Sequence, residues 1–86
     1  MGNKNYIKGR RKEYQICNKL REEGFDVVQR SAGSHSPVDI IAIRKADKKI
    51  KLVQSKPNTM LDNAIKKILE DNDWMNGKFN VEFIVK

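Results

Sequence analysis

The chain has 86 residues, 38% hydrophobic and 34% charged, a balance that excludes a disordered chain and fits one small soluble domain spanning residues 1–86. A chain of this size buries only about 60–65% of its unfolded surface, so its core is thin. Eighteen Lys and Arg against eleven Asp and Glu leave a net charge of +7, which favours a polyanionic partner, nucleic acid ahead of an anionic membrane. The alternative is a solubilising Lys-rich surface.

Cys17 is the single cysteine, so no internal disulfide forms and a reducing compartment is expected. No apolar run is long enough to cross a membrane, and no signal-peptide pattern opens the chain. A cytoplasmic protein with no membrane partner follows as the expectation.

Residues 1–7 read as a frayed polar start, with Asn5 available as a helix cap. Lys8 to Glu23 reads as a helix in which Glu13, Ile16, Cys17 and Leu20 share one face and Gly24 is the terminating residue. Glu13 opens that stripe, and taken alone it is an acid near the helix start that the helix dipole favours. Phe25 to Arg30 predicts a first strand, with Asp26 exposed. Ser31 to Ser36 is a small polar loop suited to a plain connector or to phosphate contact. His35, the only histidine, has no Cys or His partner at zinc spacing and reads as a solvated loop residue.

Pro37 to Arg44 and Lys49 to Lys56 predict a β-hairpin around the charged turn Lys45 to Lys48. Alternation puts Asp39, Ile41 and Ile43 on one face of the first strand and Ile50, Leu52, Gln54 and Lys56 on one face of the second. With Ile43 opposite Ile50 or Leu52, these faces coincide, and a carboxylate, an amide and an amine meet at the polar end of an apolar face. A slip of one residue would bring Asp39 beside Ser55 instead and turn Lys56 away. Asp39 is a hard oxygen ligand suited to Mg²⁺, Gln54 can add a neutral oxygen, and Lys56 can hold a phosphate or an attacking water. That set suits metal-assisted hydrolysis of a phosphodiester.

Pro57 stops the second strand. Asn58 or Thr59 is a candidate cap for a helix over Met60 to Asp71, with Leu61, Ile65, Ile68 and Leu69 on its apolar face. Trp74 and Met75 are expected at the edge of the core, the alternative being an exposed dimer contact or base-stacking platform. Phe79 to Val85 alternates as a last strand.

The P-V-D of Pro37 to Asp39 and the Q-S-K of Gln54 to Lys56 resemble the PD-(D/E)XK nuclease core. K-G-R-R-K-E at Lys8 to Glu13 and G-F-D-V-V-Q-R-S-A-G-S at Gly24 to Ser34 resemble the archaeal Holliday junction resolvases in order and spacing. The resemblance implies an α/β, restriction-endonuclease-like core of order α-β-β-β-α-β, with a mixed central sheet flanked by helices. It implies a Mg²⁺-dependent endonuclease, with Mn²⁺ able to substitute, acting on branched or duplex DNA as a homodimer. Glu13, Asp39 and Gln54 would hold metal with the Ser55 main-chain carbonyl, and Lys56 would complete the catalytic set. Lys8, Arg10, Arg11, Arg30 and Ser31 would contact DNA. Two departures stand out: Gln54 occupies a position where the resolvases carry Glu, as in Q-x-K Mrr-type restriction relatives, and Tyr14 follows Glu13 where the relatives carry a basic residue. The competing readings are a non-catalytic DNA-binding module on the same fold, a Mrr-like duplex nuclease, and, on charge alone, an RNA-binding or general interaction domain.

Overall fold

Helix α1 (Lys4–Glu22) carries the apolar stripe that starts the core. The computed structural model describes residues 4–31, 36–57 and 59–86, and the side chains of residues 4–9 lie outside the described set. The expectations for His35, for Asn58 and for the side chain of Lys8 therefore fall outside the described residues. The helix begins before Lys8, so Asn5 lies within it and does not cap it. Gly9 alone, at roughly 1 kcal/mol against Ala, does not interrupt a segment otherwise free of breakers.

The helix ends as the sequence predicts. Gly24 takes a left-handed φ of +94°, a conformation that costs glycine nothing. Phe25 N–H donates to Leu20 O at 3.2 Å and Gly24 N–H to Arg21 O at 3.1 Å, the paired bonds of a Schellman cap. The accompanying apolar contact is also present, because Leu20 and Phe25 are both buried in the core. Lys19 and Arg21 in the last turn complement the negative end of the helix dipole.

Three strands follow: β1 (Val27–Arg30), β2 (Ile40–Arg44) and β3 (Lys49–Val53). They form one sheet of order β1-β2-β3, antiparallel throughout. This corrects the mixed sheet. Consecutive strands joined by short connections pair antiparallel, and a parallel neighbour needs a long crossover. The strand expected over Phe79 to Val85 is absent from the ladder, and Phe83 is 91% exposed.

Register decides which residues meet α1. Ile43 pairs with Ile50 and Ile40 with Val53. Ile40 and Ala42 are fully buried and join Cys17, Leu20 and Phe25 in the core, with Ile16, Val28 and Val53 packed around them. Arg44 fastens one end: it stacks 4.8 Å from the Phe25 ring centroid, donates to Glu23 O and forks onto Asp47 with two bonds of 2.8 Å. Asp26, expected to be simply exposed, accepts from Lys45 N–H at 2.7 Å and pins the hairpin turn.

The opposite sheet face is only half covered, since Ile50 and Leu52 remain exposed. Helix α2 (Asp62–Asp71) and the 3₁₀ turn Asp73–Met75 pack on each other and not on the sheet. The expectation of helices on both faces is thus corrected to one, and the apolar stripe of α2 contains no buried residue. Its N-cap is Leu61, with no side-chain cap, so Thr59 does not serve. Trp74, expected at the core edge, is 68% exposed. What remains is an α/β unit, one helix on an antiparallel sheet, consistent with a small restriction-endonuclease-like fold. Among the described residues no helix is long and apolar enough to cross a membrane.

Two stability predictions follow from these contacts. Ile40→Ala should cost about 2–5 kcal/mol, enough to unfold much of a chain with a core this thin, and Ile40→Val about 0.5–1.5, both read by urea denaturation. Arg44 holds the Asp47 carboxyl down at about 2 from 3.8. That pair stabilises the fold above pH 3.8, and its contribution disappears as the pH falls from 3.8 through about 2. Asp47→Asn should therefore lower the melting temperature slightly at neutral pH, since exposed pairs are worth little, and the gap should close in that acid window.

Candidate functional site

Asp39 sits one residue before β2, where the three strands converge. Its C=O accepts from Ser31 N–H at 2.7 Å, and its own N–H donates to Val53 O at 2.8 Å. A regular antiparallel residue exchanges both bonds with one partner, so the ladder is irregular here and Asp39 bridges its two neighbours. The side chain adds a third tie: Ser55 N–H donates to Asp39 Oδ2 at 2.8 Å.

The observed register keeps Ile43 against Ile50, and its continuation sets Asp39 opposite Gln54. The contact with Ser55 arises from the carboxylate reaching a main-chain N–H, not from a slip of the strand. Gln54 carries an anomaly. Its Oε1 is buried and accepts no hydrogen bond among the described residues. An unsatisfied buried acceptor costs about 1–3 kcal/mol and calls for a donor or a cation.

Helix α1 closes the site from one side. Lys12 Nζ donates to the main-chain carbonyl of Lys56, and Lys12, Gln54, Ser55 and Lys56 line one open groove. The next helix residue, Glu13, turns to β1 instead: Arg30 Nε donates to Glu13 Oε1 at 3.0 Å. Arg30 also donates through Nη1 to the Tyr14 hydroxyl at 3.3 Å and stacks 4.7 Å from that ring's centroid. Arg10 reaches the same ring and the same hydroxyl. Glu13, chiefly through its hydrogen bond, holds the Arg30 guanidinium above its usual range. The Tyr14 phenol is lowered, first by the hydrogen bond and charge of Arg10 and then by the charge of Arg30.

Two clusters therefore lie side by side, one around Asp39, Gln54, Ser55 and Lys56, the other around Glu13, Tyr14, Arg30 and Arg10. Consecutive residues Lys12 and Glu13 touch one each, and Ser31 joins them by following Arg30 and bonding Asp39. Arg11 is exposed on α1. Glu13 is bonded to Arg30 and makes no recorded contact with Asp39. Lys12 and Tyr14 are contributors that the residue pattern did not single out. Lys12 is one cation in a basic run, and a tyrosine on a helix carries no signal of which strand residue will stack on it.

The donors near Asp39 are a carboxylate, an amide oxygen without a partner and the Ser55 carbonyl. All are hard oxygens, a chemistry that fits Mg²⁺ or Mn²⁺ and does not fit a soft ion. No group of three or more His, Cys, Asp or Glu forms among the described residues, so this set is low in charge.

Among protein families, the one described as archaeal Holliday junction resolvase (hjc) matches residues 4–71. No curated protein and no solved structure gives a match. The matched span contains α1, all three strands and α2, and with them every residue of both clusters. The chain belongs to the archaeal Holliday junction resolvase family, a family of nucleases.

Proposed function

We propose that this protein, acting as a single nuclease domain over residues 1–86, is a metal-dependent DNA endonuclease selective for branched DNA. The observation that carries the reading is the buried, unpartnered Gln54 Oε1 beside the Asp39–Ser55 contact, in a chain of the resolvase family. Asp39, Gln54 and the Ser55 carbonyl would hold Mg²⁺, with Mn²⁺ as a substitute. Glu13 would join them only on release from Arg30. A bound divalent ion lowers the pKa of a coordinated water and polarises the scissile phosphodiester. Lys56 would orient the attacking water or offset negative charge as it develops.

Lys8, Arg10, Arg11, Arg30 and Ser31 would bind backbone phosphates, a mode that needs no base readout. Cutting a junction symmetrically requires two active sites related by a two-fold axis, so the working form would be a homodimer. The buried free thiol of Cys17 is compatible with action in the cytoplasm.

One specific observation favours a second reading, a non-catalytic DNA-binding module. The site has a neutral amide where a carboxylate would strengthen metal binding, and its second acid is paired with Arg30. Cleavage of labelled four-way junction and duplex DNA with Mg²⁺ or Mn²⁺ separates the two. Under the nuclease reading Asp39→Asn lowers cutting at least about 100-fold and Lys56→Ala about 100- to 1,000-fold, while DNA binding survives in both. Absence of cutting on every substrate with both metals would leave the binding module. Preference for duplex over junction would point to a Mrr-like nuclease instead.

Gln54→Glu tests the ligand set by a different route. A second carboxylate buried beside Asp39 should lower the metal-free melting temperature, through desolvation and like-charge repulsion. Mn²⁺ should then raise that temperature further than it does in the unaltered chain. Equal Mn²⁺ shifts in the two proteins would remove Gln54 from the metal site.

A further inference from the structure

We infer that Tyr14 is a positioning residue for phosphate binding: its ring and hydroxyl hold Arg10 and Arg30 together as a two-guanidinium clamp for one backbone phosphate. The inference rests on the DNA-binding reading above and adds a residue that reading does not use.

Two cations converge on one neutral side chain. The Arg30 guanidinium carbon lies 4.7 Å from the Tyr14 ring centroid and that of Arg10 lies 5.8 Å away. Both donate to the same phenol oxygen, at 3.3 and 3.5 Å. Like charges resist such closeness, and a ring quadrupole with a hydroxyl acceptor is the environment that permits it. A third cation in place of Tyr14 would add repulsion where the phenol supplies attraction.

The arrangement also fixes direction. Arg30 spends Nε on Glu13 and Nη1 on Tyr14, which orients the plane of the guanidinium and leaves its Nη2 edge for a ligand. A planar fork with set orientation suits the paired oxygens of a phosphate. Tyr14 is 46% exposed, so a DNA backbone can reach the pair. Position argues the same way, because Arg30 adjoins Ser31, whose N–H bonds Asp39. A phosphate held here would lie next to the proposed cutting site.

The other doubly stacked ring is a useful contrast. Phe25 carries Arg44 and Lys51, but it is buried in the core and those cations are bonded to Asp47 and Glu23. Packing accounts for that pair. Packing does not account for a half-exposed phenol shared by two arginines.

The test is fluorescence anisotropy on a labelled four-way junction without metal, comparing the unaltered chain with Tyr14→Phe, Tyr14→Ala, Arg30→Gln and Tyr14→Ala/Arg30→Gln. Tyr14→Ala should weaken binding about 3- to 10-fold, the scale of a cation–π contact with a hydrogen bond, and Tyr14→Phe should recover most of it. In the Arg30→Gln background Tyr14→Ala should add less than about twofold, because its effect passes through that arginine. A merely structural tyrosine would give losses that multiply. Tyr14→Leu substitutes for the alanine variant if that chain fails to fold, with the same loss expected. Unchanged binding in the alanine or leucine variant, or multiplying losses, overturns the clamp alone. No binding by the unaltered chain overturns the clamp and the DNA-binding reading together.

Discussion

Three strand ends are tied together at Asp39. Its carbonyl takes the end of β1 through Ser31, its N–H takes the end of β3 through Val53, and its carboxylate takes the residue beyond Gln54. The main-chain bonds are ordinary in strength, about 1 kcal/mol net each, and the charge-assisted one is larger. Their effect is chiefly geometric. The chain leaves regular pairing at this point, so without these bonds the segments on either side would splay. A carboxylate in this position shapes the backbone and also presents an oxygen toward Gln54.

Charge explains why the neighbouring cluster matters to that oxygen. Glu13 and Arg30 neutralise each other at 3.0 Å, and each is the natural partner of something else under the proposed function: the carboxylate of a metal, the guanidinium of a phosphate. A divalent ion and a backbone phosphate arriving together would satisfy both groups as they separate. Either ligand alone would leave one of them without its partner. The pair is partly exposed, so its own contribution to stability is small and its rearrangement would cost little.

Much of the α1–sheet unit was legible in the sequence because local chemistry and long-range packing agree there. Gly24 predicts the helix end, and the structure supplies the paired bonds of that cap. The apolar match of Ile43 with Ile50 predicts the register, since any odd slip would turn Ile40 and Ala42 out of the core. The C-terminal third was not legible in the same way. Alternation over Phe79 to Val85 says which side chains share a face and nothing about whether a neighbouring strand is there to pair. The stripe of Leu61, Ile65 and Leu69 says that α2 could bury a face, not that a surface lies opposite. The stacking of Tyr14 with Arg30 depends on how α1 lies across β1, a relation that no local pattern encodes.

That division bears on where rigidity resides. Every buried residue of the core belongs to α1, to its cap or to β2, and Val28 and Val53 extend it to the outer strands. Lys12, Glu13, Arg30, Asp39 and Gln54 all sit on those elements or within one residue of them. Burial of a side chain such as Ile40 is worth about 1.5–3 kcal/mol, so the residues that hold the two clusters rest on the best-packed part of the chain. The exposed apolar groups, Ile50, Leu52, Trp74 and Phe83 among them, lie on the other sheet face or beyond α2. Loosening or covering that side would leave the α1 face packed as it is. The geometry around Asp39 therefore depends on the helix that brings Lys12 and Glu13, and on little that follows Pro57.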